Sequence, residues 1–593
     1  MEFYKPANRS ARVPVVDIRT IEAPVMGMNT EQKVHRLKAT EAVFIVDGTC
    51  KHYGVETRGG TELIAGQEAT IPNINPKGIP HIFASTLDES VFIDTLDGMV
   101  YASNAAVLFA DPHESPYIST QTSVAGTSFI YFCREGAAPR LFDSNTVYVM
   151  TDVSVPYALL GVPTEELNFC FTFKRRIWFT RIFSSNLYYL DTDAIAGTLV
   201  EFPLGPQMKR GGRPFAIASW SSDSGQGLDD YFIVLTTQGE LIVYQGTDPS
   251  AAETWKLVGN FFVGEPFRTP YCLQKTGGDL LILTKKGLFS FAGLLNGRPP
   301  DASNSLTQKI QTLFSVLSAR SVGQTETPGI PASTLVTAAG DYLITEGGDY
   351  LVWEFGDGLP ARGNQKLHFS EAESLLLIHF YFATGAVPYI TLVYSMETKG
   401  WSIWKNLSVS GFVDFRGQLC GPTDSRFLNV YSRKGLVAVS PAGINLPELL
   451  IVTAPQNLGT KSYKSVSLIK PTFQNGLPWA PTTPSLDANL TLTLLADFRG
   501  QVGTTVQGDV NDNFVLGGPL PDYFNLLTPV LPLEADGVLV RSQFSEDWIS
   551  IASVHGQHFT LVIQDKSLIQ NPTTYINNVF QSCEVLVGPG SVA

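Results

Sequence analysis

The sequence predicts an all-β protein: a β-propeller of about six blades, preceded by an N-terminal arm and followed by a C-terminal β-sandwich domain. Three observations predict it. A hairpin template recurs along most of the chain, one stretch contains a complete four-strand unit, and helical periodicity is nearly absent, with one candidate helix around Ser305 to Leu317. The complete unit is Arg213 to Pro266. Its apolar runs Phe232–Thr236 and Leu241–Tyr244 are joined across Gln238-Gly239, where glycine supplies the positive φ of a tight hairpin turn. Phe215–Trp220 precedes them, and Trp255–Val263 follows the turn at Gly246-Thr247-Asp248-Pro249, giving four short strands in roughly 50 residues, the size of one propeller blade.

The other elements repeat the template. Val91–Ile93 pairs with Met99–Ala102, Ile177–Thr180 with Leu187–Leu190, and Leu280–Thr284 with Leu288–Phe291. Ile390–Tyr394 pairs with Trp401–Trp404, and Phe427–Tyr431 with Leu436–Val439. The copies sit roughly 40–60 residues apart, the spacing of radially repeated sheets that bury their faces against one another. Stacked sandwiches would give similar strands. Residues 1–40 are polar, carry Pro6, Pro14 and Pro24, and read as an extended arm for assembly contacts; residues 41–445 form the propeller. The rhythm breaks over 296–375, which reads as an insertion or a blade-to-blade crossover projecting from the disc. Beyond Pro441–Pro447 the pattern changes: Leu449–Thr453, Ser465–Ile469, Ala488–Leu495, Val538–Val540, Trp548–Ala552 and Phe559–Ile563 predict a sandwich over 446–593.

Several motifs, in order, carry a family resemblance. Ala23-Pro24-Val25-Met26-Gly27-Met28-Asn29 and Ala39-Thr40-Glu41-Ala42 open the series. Phe129–Phe142 with Thr146–Tyr148 follows, and then FKRRIWFTRIFSSNLYYLDTDAIAGTLVEFPLG over Phe173–Gly205. Trp220–Asp230 with its Gly239–Pro249 and Trp255–Gly259 continuation comes next, and YSMETKGWSIW over Tyr394–Trp404 closes the propeller part. Lys461–Lys464, Lys470–Phe473 and Asp497-Phe498 resemble the closing domain. Together they resemble the tail nozzle (tail hub, tail tubular) proteins of short-tailed bacteriophages. Met26 and Met28 depart from the family's small residues, and 321–375 has no counterpart.

The resemblance implies a structural virion protein of the tail, assembled in the host bacterial cytoplasm. It implies a homohexameric ring below an adaptor ring of the head-to-tail connector, in contact with tail fibres or a needle or tip protein. Its channel would retain and then conduct the double-stranded DNA genome during ejection. The alternative is a glycan-binding or glycan-cleaving propeller protein, sialidase-like. A receptor-binding fibre is disfavoured, because such proteins usually show trimeric fibrous repeats.

Composition bounds these readings. The formal net charge is −14 and no basic stripe is present, which argues against sequence-specific DNA binding, whereas an acidic wall would let DNA slide. Six cysteines stand singly, with no CxxC pair, and read as buried free thiols. No apolar leader is visible at the N-terminus, and the longest apolar run, Leu375–Ala383, is too short to span a bilayer.

No catalytic residue, metal ligand or cofactor is predicted. His555 and His558 lie close together, but HGQH lacks the spacing of HExxH, and no nucleophile elbow, phosphate loop or dinucleotide fingerprint occurs. The one candidate site is the acidic, glycine-rich loop Ser221, Asp223, Gly225, Asp229 and Asp230, read as a structural turn or a loop lining the lumen. Its ligand spacing misses the EF-hand template, so Asp and Gly shaping a turn explains it better than Ca²⁺. It also half-matches the sialidase Asp-box, with Gly227 and Leu228 standing where Thr and Trp belong. The tryptophans sit in apolar runs and read as core.

Overall fold

The computed structural model describes residues 16–221, 230–321, 365–382, 389–432, 449–475, 490–496, 538–540, 548–565 and 578–589, save a few turn positions within these spans. Seven small antiparallel meanders follow one another along the chain, six as separate sheets and one, blade 6, at the end of a larger sheet; in each the first strand, a, lies innermost. Blade 1 is Ile82–Ala84, Val91–Thr95, Gly98–Tyr101 and Val107–Ala110. Blade 2 runs from Ile118–Val124 through Thr127–Arg134 and Ala137–Phe142 to Val147–Val149. Blade 3 is Leu167–Phe173, Arg176–Arg181, Leu187–Tyr189 and Val200–Phe202; blade 4 is Pro214–Ser221, Asp230–Thr236, Glu240–Gly246 and Trp255–Phe262.

Blade 5 has three strands, Leu273–Thr276, Asp279–Thr284 and Gly287–Ser290, and continues into the short helix α1, Phe291–Leu295, capped by the Ser290 side chain. Blade 6 is Gln365–Ser370, Leu375–Tyr381, Tyr389–Ser395 and Trp401–Trp404. Blade 7 takes Val413–Phe415, Gln418–Pro422 and Phe427–Ser432 from the end of the ring and its outer strand, Gly60–Leu63, from before blade 1. The a strands of neighbouring blades pack side by side, and that of blade 7 meets that of blade 1. This is a β-propeller, closed by a strand from the other end of the chain.

The ring therefore has seven blades where the sequence predicts about six. Gly60–Leu63 reads GTEL, with no apolar run to mark it as a strand. Its partner, Phe427–Ser432, was expected to pair with Leu436–Val439, which lies outside the described residues. Blade 4 matches its expected strands closely. Gly239 holds φ +78° in its turn, and a Cβ there would stand 2.0 Å from the Gly264 carbonyl oxygen, so only glycine fits.

The domain boundaries also move. Residues 17–57 do not form a free arm; they build the sandwich, and Ala42–Val46 also pairs with the outer strand of blade 6. Asp17–Glu22 pairs along Ser582–Val587, and Gly48–Lys51 with Gly54–Thr57 extends the same sheet of Asn578–Pro589, Lys464–Asn475 and Ile549–Gly556. Ala42–Val46 enters a second sheet with Leu449–Thr453, Phe559–Asp565, Leu490–Ala496 and Val538–Val540, which the parallel pairing of Val46 with Ile403 makes continuous with the outer strand of blade 6. The two sheets share one core, with Ile21, Val55, Val466 and Val585 from the first and Ile45, Ile451, Leu561 and Ile563 from the second. The sandwich is thus built from both ends of the chain. Alternation in the C-terminal strands announces a buried face, but nothing local in the sequence says whose strands complete the sheets.

Three motifs of the opening and closing series meet at the seam between sandwich and propeller. Gly27 (φ +73°) lies against Gly400 and Trp401, where a Cβ would come within 2.2 Å of the Trp401 nitrogen. Met28 N–H donates to Trp401 O at 2.8 Å and Ala42 N–H to Gly27 O at 2.9 Å. Trp404 Nε1 donates to Gly48 O at 3.2 Å, and Asp47 meets Arg58 at 3.5 Å with both side chains buried. The stretch after blade 5 does not project at its start. Helix α2, Gln311–Ser321, buries Leu313, Phe314 and Leu317, and Phe314 packs between Phe267 and Phe380. Residues 322–364 lie outside the described ones.

Trp178, Trp401 and Trp404 are fully buried, and Trp220 and Trp255 nearly so, in the core role expected of them. All six cysteines are free and buried.

Candidate functional site

Antiparallel meanders put the turns between strands a and b on one face of a propeller. The b-to-c turns and the blade-to-blade links lie on the other. Three polar assemblies occupy the first face, the axis and the second face.

On the first face lie Ser221 and Asp230, the two ends of the acidic loop named from the sequence. Ser221 ends strand a of blade 4, Asp230 begins strand b, and the two are register partners. Asp223, Gly225 and Asp229 lie outside the described residues. Asp230 pairs with Lys174 in the a-to-b turn of blade 3. That turn places Lys174 and Arg175 at φ +47° and +61°, as a two-residue hairpin of the right twist requires. Arg175 pairs with Asp193, and Arg176 reaches Asp191 at 3.2 Å and Asp248 at 3.3 Å. Each cation of Lys174-Arg175-Arg176 is therefore matched by aspartate. Similar latches continue around the face: Trp220 Nε1 donates to Gly278 O at 3.0 Å between blades 4 and 5, and Glu371 N–H donates to Asp414 Oδ2 at 2.7 Å between blades 6 and 7. Arg416 faces Glu89 at 3.5 Å between blades 7 and 1.

At the axis, Tyr271 enters from the link before blade 5, yet its hydroxyl donates to Tyr117 O of blade 2's link at 2.8 Å. Its ring stacks on His81, just ahead of blade 1, with centroids 6.1 Å apart. In a seven-blade ring these partners lie across from blade 5, so the buried Tyr271 side chain reaches across the axis. His81 Nε2 lies 2.8 Å from Ser119 Oγ on strand a of blade 2. Lys366, on strand a of blade 6, holds its ammonium 5.1 Å from the Tyr271 ring centroid. Burial pushes Lys366 down to about 8. Burial, aided by the Lys366 charge, pushes both His81 and His379 down to about 3, so both rings are neutral.

Between the axis and the second face, Asp111 receives Arg134 through two hydrogen bonds of 2.8 and 2.9 Å and also accepts from the Tyr117 hydroxyl. Burial pushes the Asp111 carboxyl up, but Arg134 and Tyr117 together outweigh it and hold the group down to about 2. Asp94 and His113 form a buried pair at 2.9 Å beside it. A cavity of about 130 Å³ opens nearby, lined by Ser115, Glu135, Asn168, Arg213, Gln238 and Phe267 among others. Among the described residues no group of three or more His, Cys, Asp or Glu is arranged to hold a metal ion.

Sequence reasoning missed the axial cluster. His81, Ser119, Tyr271 and Lys366 come from four blades or links and share no motif. The lone hint is a lysine within the alternation Gln365–Ser370, at a position the strand buries.

No protein-family model and no curated protein matches the sequence. Among solved structures, the chain is similar to the extracellular domain of a hybrid two-component system protein from B. thetaiotaomicron, at 12% identity and a TM-score of 0.34 over 66% of this chain. Raptor from Chaetomium thermophilum is similar at 9% identity and a TM-score of 0.33 over 65% of this chain. The chain spans 49% of the first of these and 30% of the second. BamB from Moraxella catarrhalis is similar at 10% identity and a TM-score of 0.29, over 65% of this chain and 92% of BamB.

Proposed function

We propose that this chain is the nozzle subunit of a short-tailed phage tail, a structural protein whose homohexameric ring docks under the adaptor ring and conducts the genome. The observation that carries the reading is the ordered series of nozzle-like motifs. Its support is that the opening motif at Ala23–Asn29, the Ala39–Ala42 motif and the Tyr394–Trp404 hairpin, far apart in sequence, join at one seam through Gly27. Such a seam is what a motif set tied to one architecture requires.

In this reading DNA passes between subunits along the sixfold axis, because Tyr271 reaches across the axis of each propeller. The net charge of −14 keeps phosphates from adhering to the wall, over a range of about 8–10 Å at physiological salt. The loop of Ser221 to Asp230, repeated six times about the ring axis, is the element that lines and narrows the lumen. Subunits meet through the outer rim of blades 2 to 4, where Val149, Val200, Leu257 and Val258 on the outer strands are exposed. The N-terminal segment and the sandwich contribute contacts to the adaptor, and fibres or a tip protein attach below.

Electron microscopy of the purified chain and of the parent particle tests this. A sixfold tube is expected, and Leu257→Lys with Val258→Lys should yield folded monomers. A wild-type chain that stays monomeric at high concentration and turns over or binds glycans would replace the nozzle with the glycan-acting alternative, whose ligand would sit in the cavity beside Arg213.

A further inference from the structure

Lys366 is 7% exposed. An ammonium taken out of water needs acceptors for its three N–H groups, and leaving them unmet is expensive. Among the described residues no carboxylate pairs with Lys366 and no acceptor receives its hydrogens. The Tyr271 face beneath it recovers only part of the lost hydration. The surrounding groups do not supply the missing negative charge: His81 and His379 are neutral, burial keeps the Tyr271 phenol protonated, and Asp94, whose charge reaches Tyr271, is paired with His113.

Donors, by contrast, are present. The Tyr271 O–H is committed to Tyr117 O, and its oxygen also lies 3.4 Å from His81 Nδ1, so the two neutral tautomers of His81 differ: one donates to Tyr271 and accepts from Ser119, the other donates to Ser119. With the proton on Nε2, His81 donates to Ser119 Oγ, and the serine hydroxyl is released to donate elsewhere. The axis thus holds a fixed cation, a hydroxyl whose hydrogen can be redirected, and no anion to complete them.

We propose that this cluster is a binding site for a small oxyanion, a phosphate or a carboxylate, with Lys366 supplying the charge and Ser119 a hydrogen bond. Tyr271 reaches across the axis, so the ligand is small, of the order of inorganic phosphate, or the terminal group of a larger molecule reaching in along the axis. The site belongs to the individual propeller and does not depend on the nozzle reading.

The test is thermal unfolding of the full chain at pH 7, dilute enough to be monomeric, with inorganic phosphate or acetate replacing chloride at constant ionic strength. Wild type should gain melting temperature with the logarithm of ligand concentration once its Kd is passed. Lys366→Met, which keeps the aliphatic stem and removes the charge, should fold and lose the response; Ser119→Ala should weaken apparent affinity several-fold. A response to phosphate alone identifies a phosphate site, and one to acetate as well identifies a general oxyanion site. The proposal is overturned if wild type does not respond up to about 50 mM, or if both variants respond as wild type does, since that is the signature of non-specific salt stabilisation.

Discussion

Blade 4 and blade 7 are the same sheet made in two ways. Blade 4 uses one contiguous stretch, Pro214 to Phe262, with every strand paired to its sequence neighbour. Blade 7 borrows its outer strand from Gly60–Leu63 and thereby locks the ring. The contrast teaches that local contacts build blades while a single long-range pairing holds the disc shut. Closing so long a loop carries an entropy cost that grows slowly with length, so one short strand suffices when the sheets around it are buried. The same division separates the propeller from the sandwich, whose sheets interleave strands from both chain ends.

The comparison can be broken at its local half first. Phe232 is fully buried in blade 4 and packs on Trp178, with ring centroids 4.5 Å apart. Phe232→Ala should destabilise by about 3–5 kcal/mol in urea unfolding, because the aromatic cluster across blades 3 and 4 cannot collapse around the gap. At the long-range half, Glu62→Pro removes a ladder hydrogen-bond donor or distorts the closing strand, and should lower stability by about 2–3 kcal/mol. Limited proteolysis should then cut first near residues 60–63 and 427–432, while the blade 4 core stays protected. Cleavage starting within blade 4 would contradict the assigned role of closure.

Gly27→Val probes the seam between the two architectures. A Cβ within 2.2 Å of Trp401 N, at positive φ, should cost about 3 kcal/mol and loosen the sandwich ahead of the propeller, visible as amide exchange in 582–587 before 230–246.

The axis offers a pH test. Lys366 titrates near 8 in the fold and at 10.5 in the unfolded chain, so the fold carries the full penalty below about 8 and sheds it as pH rises to about 10.5. Stability should therefore climb across that window by up to about 3 kcal/mol from this group, and Lys366→Met should be more stable than wild type at pH 7 and lose the climb. His81 and His379 act at the other end: neutral in the fold and charged when unfolded, they make stability fall as pH drops below about 6.5 toward 3. The remaining groups around this lysine are Tyr271, which stays protonated throughout the lower window, and His368, which burial also lowers despite its Asp414 partner.

The smallest effect is expected at the Lys174–Asp230 latch, where both side chains are partly exposed. Asp230→Ala should cost less than about 1 kcal/mol, and a double-mutant cycle with Lys174→Ala should give coupling that shrinks with added salt. A coupling above about 2 kcal/mol would mean that the latch, rather than the aromatic core, aligns blades 3 and 4.

The sequence by itself determined what period-2 alternation and turn chemistry can encode. Blades 3 to 5, the Gln238-Gly239 hairpin and the tryptophan cores were legible there, because each residue's face follows from its neighbours and glycine marks the turns. Tertiary structure alone decided the seventh blade, the two-ended sandwich and the axial cluster. Gly60–Leu63 has no apolar signature and becomes a strand only because blade 7 offers it an open edge. Asp17–Glu22 carries a polar, half-charged sequence that pairs only because Asn578–Pro589 presents a free ladder. His81, Ser119, Tyr271 and Lys366 converge because a closed ring brings the inner edges of distant blades within a few ångströms of one axis, a juxtaposition that no local spacing encodes.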